Sequence, residues 1–544
     1  MTFSLPATFA NAAARLRWAE HPGPGPGEHT DRVERDQETE NGAAGEEDGR
    51  QLALPLPELG LPPETFTIPR DRRVYVNRNL RLSEVEWIGF DMDYTLAIYD
   101  QDRMDDLQIR ATIPRLLARG YPAFLGEITF DTRFPIRGLM VDKKLGHVLK
   151  MDRYKVVHKA WHGLSRVAND DVRALYHQRK IRLTAARYHW VDTLYALAEV
   201  TMYAAIIDAL EKRGMIPDFP QLFADIRECI DEAHRDGTVL DAVASDFPTY
   251  IRRDGELAQA LHKWRSSGRK LFLLTNSRAS YTDAMMTYLL GGAMPEYPSW
   301  RHYFDMVVVA ASKPAFFTER RPLMERDGNE LRPATGSPER GRIYEGGNLH
   351  EVERMVGVTG DRILYVGDHI FGDILRSKKE SSWRTAMIIQ EMTDETRAFS
   401  LSERDLERLS DLEEQRLKAE DELRFLQLRF KDVSRQLETF SSGQRSLVPL
   451  GVLEAERTRA KKGVERVRTI LRTLDAHITE LEGRVDLRFH PYWGSLLKEA
   501  NETSSFGSQV EEYACLYTSK VSNFLGYSPL QNFRSPRDKM AHEV

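Results

Sequence analysis

Hydrophobic positions fall along the chain in three rhythms. Short unbroken apolar runs, VEWIGFD (Val85 to Asp91), KLFLLTN (Lys270 to Asn276) and ILYVGD (Ile363 to Asp368), each close on polar residues. Runs of this kind predict strands buried on both faces of a parallel sheet. Helical spacing stands beside them: DGELAQALHKWRSSGRK places Leu257, Leu261 and Trp264 on one face, and GDILRSKK follows the third run. The alternation predicts an α/β fold with a mostly parallel sheet, in which ligands bind at the carboxyl ends of the strands. The run MVVVAAS, ending at Ser312, offers one more strand.

Between the first two runs, roughly from Asp100 to Asp254, the chain is far longer than the about 15 residues a structureless loop can usually have in a compact domain. It contains a candidate hairpin, RGLMVDKKLGHVLKMD, and a predicted helical stretch from Val172 to Arg213, and it reads as a cap domain over the active end of the sheet. The third rhythm runs from Leu409 to Val485. Leu412, Ala419, Leu423, Leu426, Phe430, Val433, Leu437 and Phe440 recur at three-four spacing, and after SSGQRSLVPLG it resumes through Val464, Val467, Leu471, Leu474, Ile478, Leu481 and Val485. This predicts an antiparallel coiled-coil hairpin, with Arg416 as the charged residue at a seam position.

Composition adds limits. The stretch from His21 to Arg50 has almost no large apolar residue, so it cannot bury enough surface to offset ordering entropy. The expected plan is therefore a disordered leader at 1–67, a catalytic core at 68–100 and 215–400, a cap at 101–214, the coiled-coil hairpin at 401–486 and a helical C-terminal segment at 487–544. A chain of 544 residues with 41% hydrophobic residues and a charge of −6 suits a soluble globular protein of several domains. No apolar run approaches the roughly 20 residues of a bilayer-spanning helix, so no membrane partner is expected. Two cysteines, Cys229 and Cys515, argue against a disulfide framework and for a cytoplasmic setting. The acidic balance provides no general attraction to nucleic acid.

Candidate chemistry collects at the strand ends. The first offers Asp91 and Asp93, which on a continued strand would share a face; the second offers Thr275, Asn276 and Ser277; the third offers Asp368 and, after HIFG, Asp373. Lys313 follows the run MVVVAAS. Carboxylates gathered in one place need a cation, and an all-oxygen set suits Mg2+. A hydroxyl, backbone amides and an ammonium suit a phosphate. Together they point to phosphoryl transfer through a carboxylate nucleophile. His369 is expected to pack or hydrogen-bond within its own loop, since oxygen-ligated magnesium has no need of imidazole.

The motifs DMDYTL, LLTNS, the lysine of SKP and YVGDHIFGD resemble the four signature loops of the haloacid dehalogenase-like phosphohydrolases, and more narrowly the IG-type, cytosolic purine 5'-nucleotidases. The likeness extends over FDTRFPIRGLMVDKKLGHVLKMD and GSQVEEYACLYTSKVSNFLGYSP. It implies a haloacid dehalogenase-like Rossmannoid sheet with an inserted cap. Asp91 would then be the nucleophile that becomes an aspartyl-phosphate, and Asp93 the general acid and base. Asp91, Asp93 (through its carbonyl) and Asp368 would hold magnesium with support from Asp373, while Thr275, Asn276 and Lys313 would hold the phosphate. Arg187 and Asp192, in RYHWVDTLYAL, would read a purine base; the bland alternative makes them charges on a helix whose core face is Trp190 and Leu194. The implied activity is hydrolysis of purine nucleoside 5'-monophosphates such as IMP or GMP, with phosphotransfer to a second nucleoside as a further option. The resemblance implies a homo-oligomer, a dimer or tetramer. The rival readings are a same-fold phosphatase for another small phosphoester and a coiled-coil scaffold with an idle core.

Overall fold

The computed structural model describes residues 67–177, 181, 185–328, 330–375, 381–441 and 448–537, so the expected leader lies outside the described residues. The three apolar runs form the strands Trp87–Phe90, Lys270–Leu274 and Ile363–Gly367. They pair in parallel with Trp87–Phe90 in the middle, so that Phe90 lies beside Leu273 on one side and Val366 on the other. Every residue of the middle strand is buried, which is why the run could not alternate with polar residues. The fourth run supplies Met306–Val309, parallel to Lys270–Leu274.

Among the described residues these strands belong to a ten-stranded sheet. Its parallel body runs in the spatial order Leu516–Thr518, Arg384–Ile388, Ile363–Gly367, Trp87–Phe90, Lys270–Leu274, Met306–Val309, Ile343–Gly346. Antiparallel strands finish both edges. The chain steps outward from Trp87–Phe90 on one side and returns to pair on its other side, so the order reverses between Trp87–Phe90 and Ile363–Gly367. A crevice at the carboxyl ends of the strands forms at such a point. The helix Leu257–Ser266 buries Leu257, Leu261 and Trp264 as its spacing predicts, with Trp264 5.5 Å from Phe90 between ring centroids. The π-helical turn Ile370–Leu375 takes in the start of GDILRSKK, and residues 376–380 lie outside the described residues.

The insertion contains its own five-stranded antiparallel sheet. The expected hairpin is present as Leu139–Asp142 paired with His147–Met151. The stretch expected to be helical from Val172 to Arg213 is not one helix. A helix, Asn169–Tyr176, is followed by the strand Tyr188–Val191, which pairs antiparallel with Leu139–Asp142, and only then by the helix Leu197–Glu211. Aromatic and β-branched residues in YHWV fit a pleated surface, and the exposed edge of Leu139–Asp142 supplies the hydrogen-bond partners. Arg187 and Asp192 therefore flank a strand, not a helix.

The heptad region forms an antiparallel hairpin of Met392–Ser441 and Leu450–Phe489. Cross-pairs Asp405 with Arg488, Glu422 with Arg466 and Glu456 with Arg429 fix the direction. Leu412, Ala419, Val467, Leu474, Ile478 and Leu481 pack in the seam. Arg416 keeps 37% of its side chain exposed and reaches toward Asp475 at 4.0 Å, so its charge stays at the seam's edge. The first helix starts at Met392, earlier than the periodicity marks, because its opening turns pack on the core through Met392 and Ala398. The C-terminal segment holds the helix Ser505–Tyr513 but also the strand Leu516–Thr518, parallel to Arg384–Ile388. A three-residue strand is too short to show a period, and the sheet edge decides it. Both cysteines are buried and free, and among the described residues no helix is long and apolar enough to cross a membrane.

A Cβ built on Gly89 in the central strand would stand 2.1 Å from the Phe272 ring. Gly89→Ala is expected to cost about 1–3 kcal/mol through overpacking, read as a lowered urea midpoint with an unchanged slope.

Candidate active site

At the end of Trp87–Phe90 the Asp91 amide still bonds the sheet, donating to Val366 O at 2.9 Å. The chain then turns sharply: the amides of Thr95, Leu96 and Ala97 all point back to the Met92 carbonyl, at 3.3, 3.0 and 2.9 Å. Tyr94 takes φ +56° to complete the turn, an uncommon conformation for a residue with a bulky side chain. This turn overrides the strand alternation expected for the two acids. Asp91 Oδ1 accepts from Lys313 Nζ at 2.8 Å, whereas the Asp93 carboxylate accepts from Tyr99 Oη at 2.6 Å and from Ser277 Oγ at 2.7 Å. Tyr99 in turn meets Tyr281, with the phenol oxygens 2.9 Å apart.

Thr275 is fully buried at the end of the second strand, its amide bonded to Val308 O and its hydroxyl accepting from the Ser277 amide at 3.1 Å. The Asn276 side chain clamps the main chain of Lys313 from both sides, accepting from its amide at 2.5 Å and donating to its carbonyl at 2.9 Å. The clamp explains how the loop sustains left-handed Ala310 and Ser312, at φ +47° and +59°. It also commits the Asn276 carboxamide to bracing Lys313. The lysine side chain, 3% exposed, meets Asp91, Asp373 Oδ1 at 2.6 Å and Tyr365 Oη at 2.9 Å. Asp373 Oδ2 accepts from the His369 amide at 3.3 Å, closing the loop that carries Asp368.

Charge in this crevice is lopsided, with Asp91, Asp93, Asp368 and Asp373 set against the single ammonium of Lys313. Burial pushes the Asp91 carboxyl well up, with Lys313 pulling the other way. Asp368 is pushed up to about 7, by burial first and then by Asp373. Burial also raises Asp93, against the hydrogen bonds from Tyr99 and Ser277. Burial alone disfavours the Lys313 ammonium, yet Asp373 and Asp91 together push its pKa well above the usual lysine range. Such a set is relieved by a divalent cation. Asp91, Asp368 and Asp373 each offer a carboxylate oxygen, all within 4.8 Å of one another, an all-oxygen donor set that fits magnesium. The Asp93 carboxylate lies with Tyr99 and Ser277 and is not part of that trio.

The two candidates for base recognition are placed differently from each other. Arg187 lies in a two-point ion pair with the fully buried Asp142, which also accepts from Tyr176 Oη at 2.9 Å. Its guanidinium is therefore already neutralised inside the cap. Asp192 reaches out of the cap to His369 Nε2 at 3.1 Å. The His369 ring thus lies against Gly372 of its own loop but finds its hydrogen-bond partner in the cap, because the strand Tyr188–Val191 delivers a carboxylate to it. Sequence reasoning missed Arg137, Tyr365 and Glu391. Tyr365 lay inside an apolar strand, and Arg137 preceded another, where a buried arginine reads the same as an exposed one.

The model of the 5' nucleotidase family matches residues 74–544. The 5'-nucleotidase domain-containing protein 2 of Rattus norvegicus is 28% identical over 499 residues, covering 89% of this chain and 82% of that protein. The protein of the same name in Homo sapiens is 30% identical over 355 residues, covering 62% of this chain and 67% of that protein. A solved structure of a predicted phosphoglycolate phosphatase from Haemophilus somnus 129PT is 13% identical and covers 56% of this chain and 85% of its own, at a TM-score of 0.24, too low to carry an argument.

Lys313→Met removes the ammonium that favours ionised Asp91. In chelator, the variant is expected to lose about 3–5 kcal/mol of stability near pH 8. The loss should be smaller near about pH 5, where protonation neutralises the stranded acids, whose pKa values are raised. Urea unfolding at both pH values measures it, and equal losses would remove the lysine from the charge balance.

Proposed function

The chain belongs to the 5' nucleotidase family and is a phosphoric monoester hydrolase, and we propose that it hydrolyses purine nucleoside 5'-monophosphates with magnesium, through a phosphoenzyme on Asp91. The observation that carries this reading is the charge arrangement: one acid held by a buried lysine, with two more acids within reach of the same cation.

Asp91 attacks phosphorus in line with the leaving 5'-oxygen, so the bond from phosphorus to that oxygen breaks as the Asp91 acyl phosphate forms. Asp93 gives its proton to the leaving oxygen, and the nucleoside departs. Water then attacks phosphorus, Asp93 takes the proton back, and inorganic phosphate leaves with the Asp91 carboxylate restored. The raised Asp93 pKa suits a group that must hold a proton near neutral pH. Tyr99 and Ser277 orient its two oxygens. Asp91, Asp368 and the main chain of Asp93, with Asp373 in support, would hold magnesium, which would supply positive charge to offset the repulsion between phosphate and an anionic nucleophile. Lys313, bonded to the Asp91 carboxylate, adds positive charge to the same end, and Thr275 and the amides of its loop receive the phosphate oxygens. Asn276 contributes by holding Lys313 in place.

For the base, Asp192 stands where the cap meets the Asp368 loop and can accept from a ring N–H. Arg187 acts through Asp142, anchoring the start of the strand whose far end delivers Asp192. Tyr195, edge-on to Tyr94 at 4.8 Å, adds an aromatic surface beside the Asp91–Asp93 loop.

Phosphate release from a panel of 5'-monophosphates and from non-nucleotide phosphoesters tests the reading. Release from inosine or guanosine monophosphate is expected, lost with chelator and restored by magnesium. Asp91→Asn should abolish it, and Asp93→Asn should slow it by about 10²–10⁴-fold. Activity confined to non-nucleotide esters would keep the mechanism and overturn the substrate.

A further inference from the structure

Arg137 has no exposed side-chain surface and takes no part in the chemistry above. Its Nε and one Nη donate to the two carboxylate oxygens of Glu391, at 2.8 and 2.6 Å. The other Nη donates to the main-chain carbonyl of Asp368 at 3.0 Å, and the guanidinium lies over the Phe506 ring, 5.0 Å from its centre. A buried guanidinium is tolerated only when its donors are satisfied in good geometry, so this arrangement has little freedom to shift.

Glu391 is the residue before the long hairpin helix Met392–Ser441. Its neighbour Gln390 donates from Nε2 to the Tyr94 carbonyl at 3.0 Å, inside the turn that separates Asp91 from the rest of its loop. Two adjacent side chains at the root of the hairpin therefore grip both acid-bearing loops, Gln390 directly and Glu391 through Arg137. Both contacts end on main-chain carbonyls, so they set where the loops lie whatever the side chains of those residues do. Arg137 itself lies in the inserted cap: the next amide, Gly138 N, donates to Val191 O at 2.6 Å, immediately before Asp192.

We propose that Arg137, Gln390 and Glu391 are positioning residues through which the root of the helical hairpin sets the spacing of the Asp91–Asp93 loop and the Asp368 loop, so that displacing the hairpin helix changes turnover. This rests on the phosphomonoesterase reading above for its activity readout. Misplacement of reacting groups by about 1 Å can cost about 10²-fold in rate, and the two grips act on loops that must meet across one phosphate.

The test compares the full chain with Gln390→Ala, Glu391→Gln and Arg137→Lys, and with Arg429→Ala at the distant hairpin pair Arg429 and Glu456 as a control. kcat, KM, the half-saturating magnesium concentration and the thermal midpoint are measured for each. Gln390→Ala is expected to lower kcat by about tenfold with KM changed less than about threefold. Glu391→Gln and Arg137→Lys should lower kcat further and raise the half-saturating magnesium by about 10-fold, because their grip is on the Asp368 loop. The Arg429→Ala protein should match the wild type. An unchanged kcat in Gln390→Ala and Glu391→Gln overturns the proposal, as does a loss explained by the unfolded fraction alone. If the wild type releases no phosphate from any ester, the reaction reading fails instead. Magnesium titration calorimetry then decides the coupling: weaker binding in Glu391→Gln sustains it, and equal binding removes it.

Discussion

Everything at the carboxyl end of the sheet depends on one buried ammonium. Lys313 lies among Asp91, Asp373 and Tyr365 with almost no access to water, and a lone carboxylate cluster in that setting would protonate and lose its use. The lysine keeps part of the negative charge available without cancelling it. The remaining excess suits a divalent cation, and on the proposed reading cation and lysine together would hold the phosphate. The Asn276 clamp and the left-handed backbone before Lys313 are the structural cost of holding the ammonium there.

The fold supplies the geometry by a simple device. Parallel strands on both sides of Trp87–Phe90 end at one edge, so loops distant in sequence meet at the point where the strand order reverses. What the strands cannot do is fix the loops relative to one another beyond the last ladder bond. That falls to side chains from other parts of the chain: Tyr99 and Ser277 on Asp93, Asp192 on His369, and the Arg137 and Glu391 pair on the Asp368 carbonyl. The cap and the hairpin root thus both reach the loops that carry the acids, and the first helix of the arm begins beside them.

Several of these features were open to a reader of the sequence. Apolar runs ending in Asp91, Asn276 and Asp368 announced the sheet, because a strand buried on both faces has no reason to alternate. The heptads from Leu412 to Val485 announced the hairpin, because a seam must repeat. YHWV, read as part of a helix, became a strand because the free edge of Leu139–Asp142 offered hydrogen bonds that local propensity cannot see. Leu516–Thr518 was missed for the same reason at a different edge.

The sequence alone therefore determined the fold class, the strand ends and the residue types gathered there, since hydrophobic period and motif order are local properties of the chain. Only the tertiary structure decided how those residues divide the work. It put Asp373 beside Asp91 and Asp368, turned Asp93 toward Tyr99, committed Arg187 to Asp142 and buried Arg137 between Glu391 and the Asp368 carbonyl. Each of those outcomes is an electrostatic or hydrogen-bonded juxtaposition whose strength is set by burial and distance, neither of which is written in the order of residues.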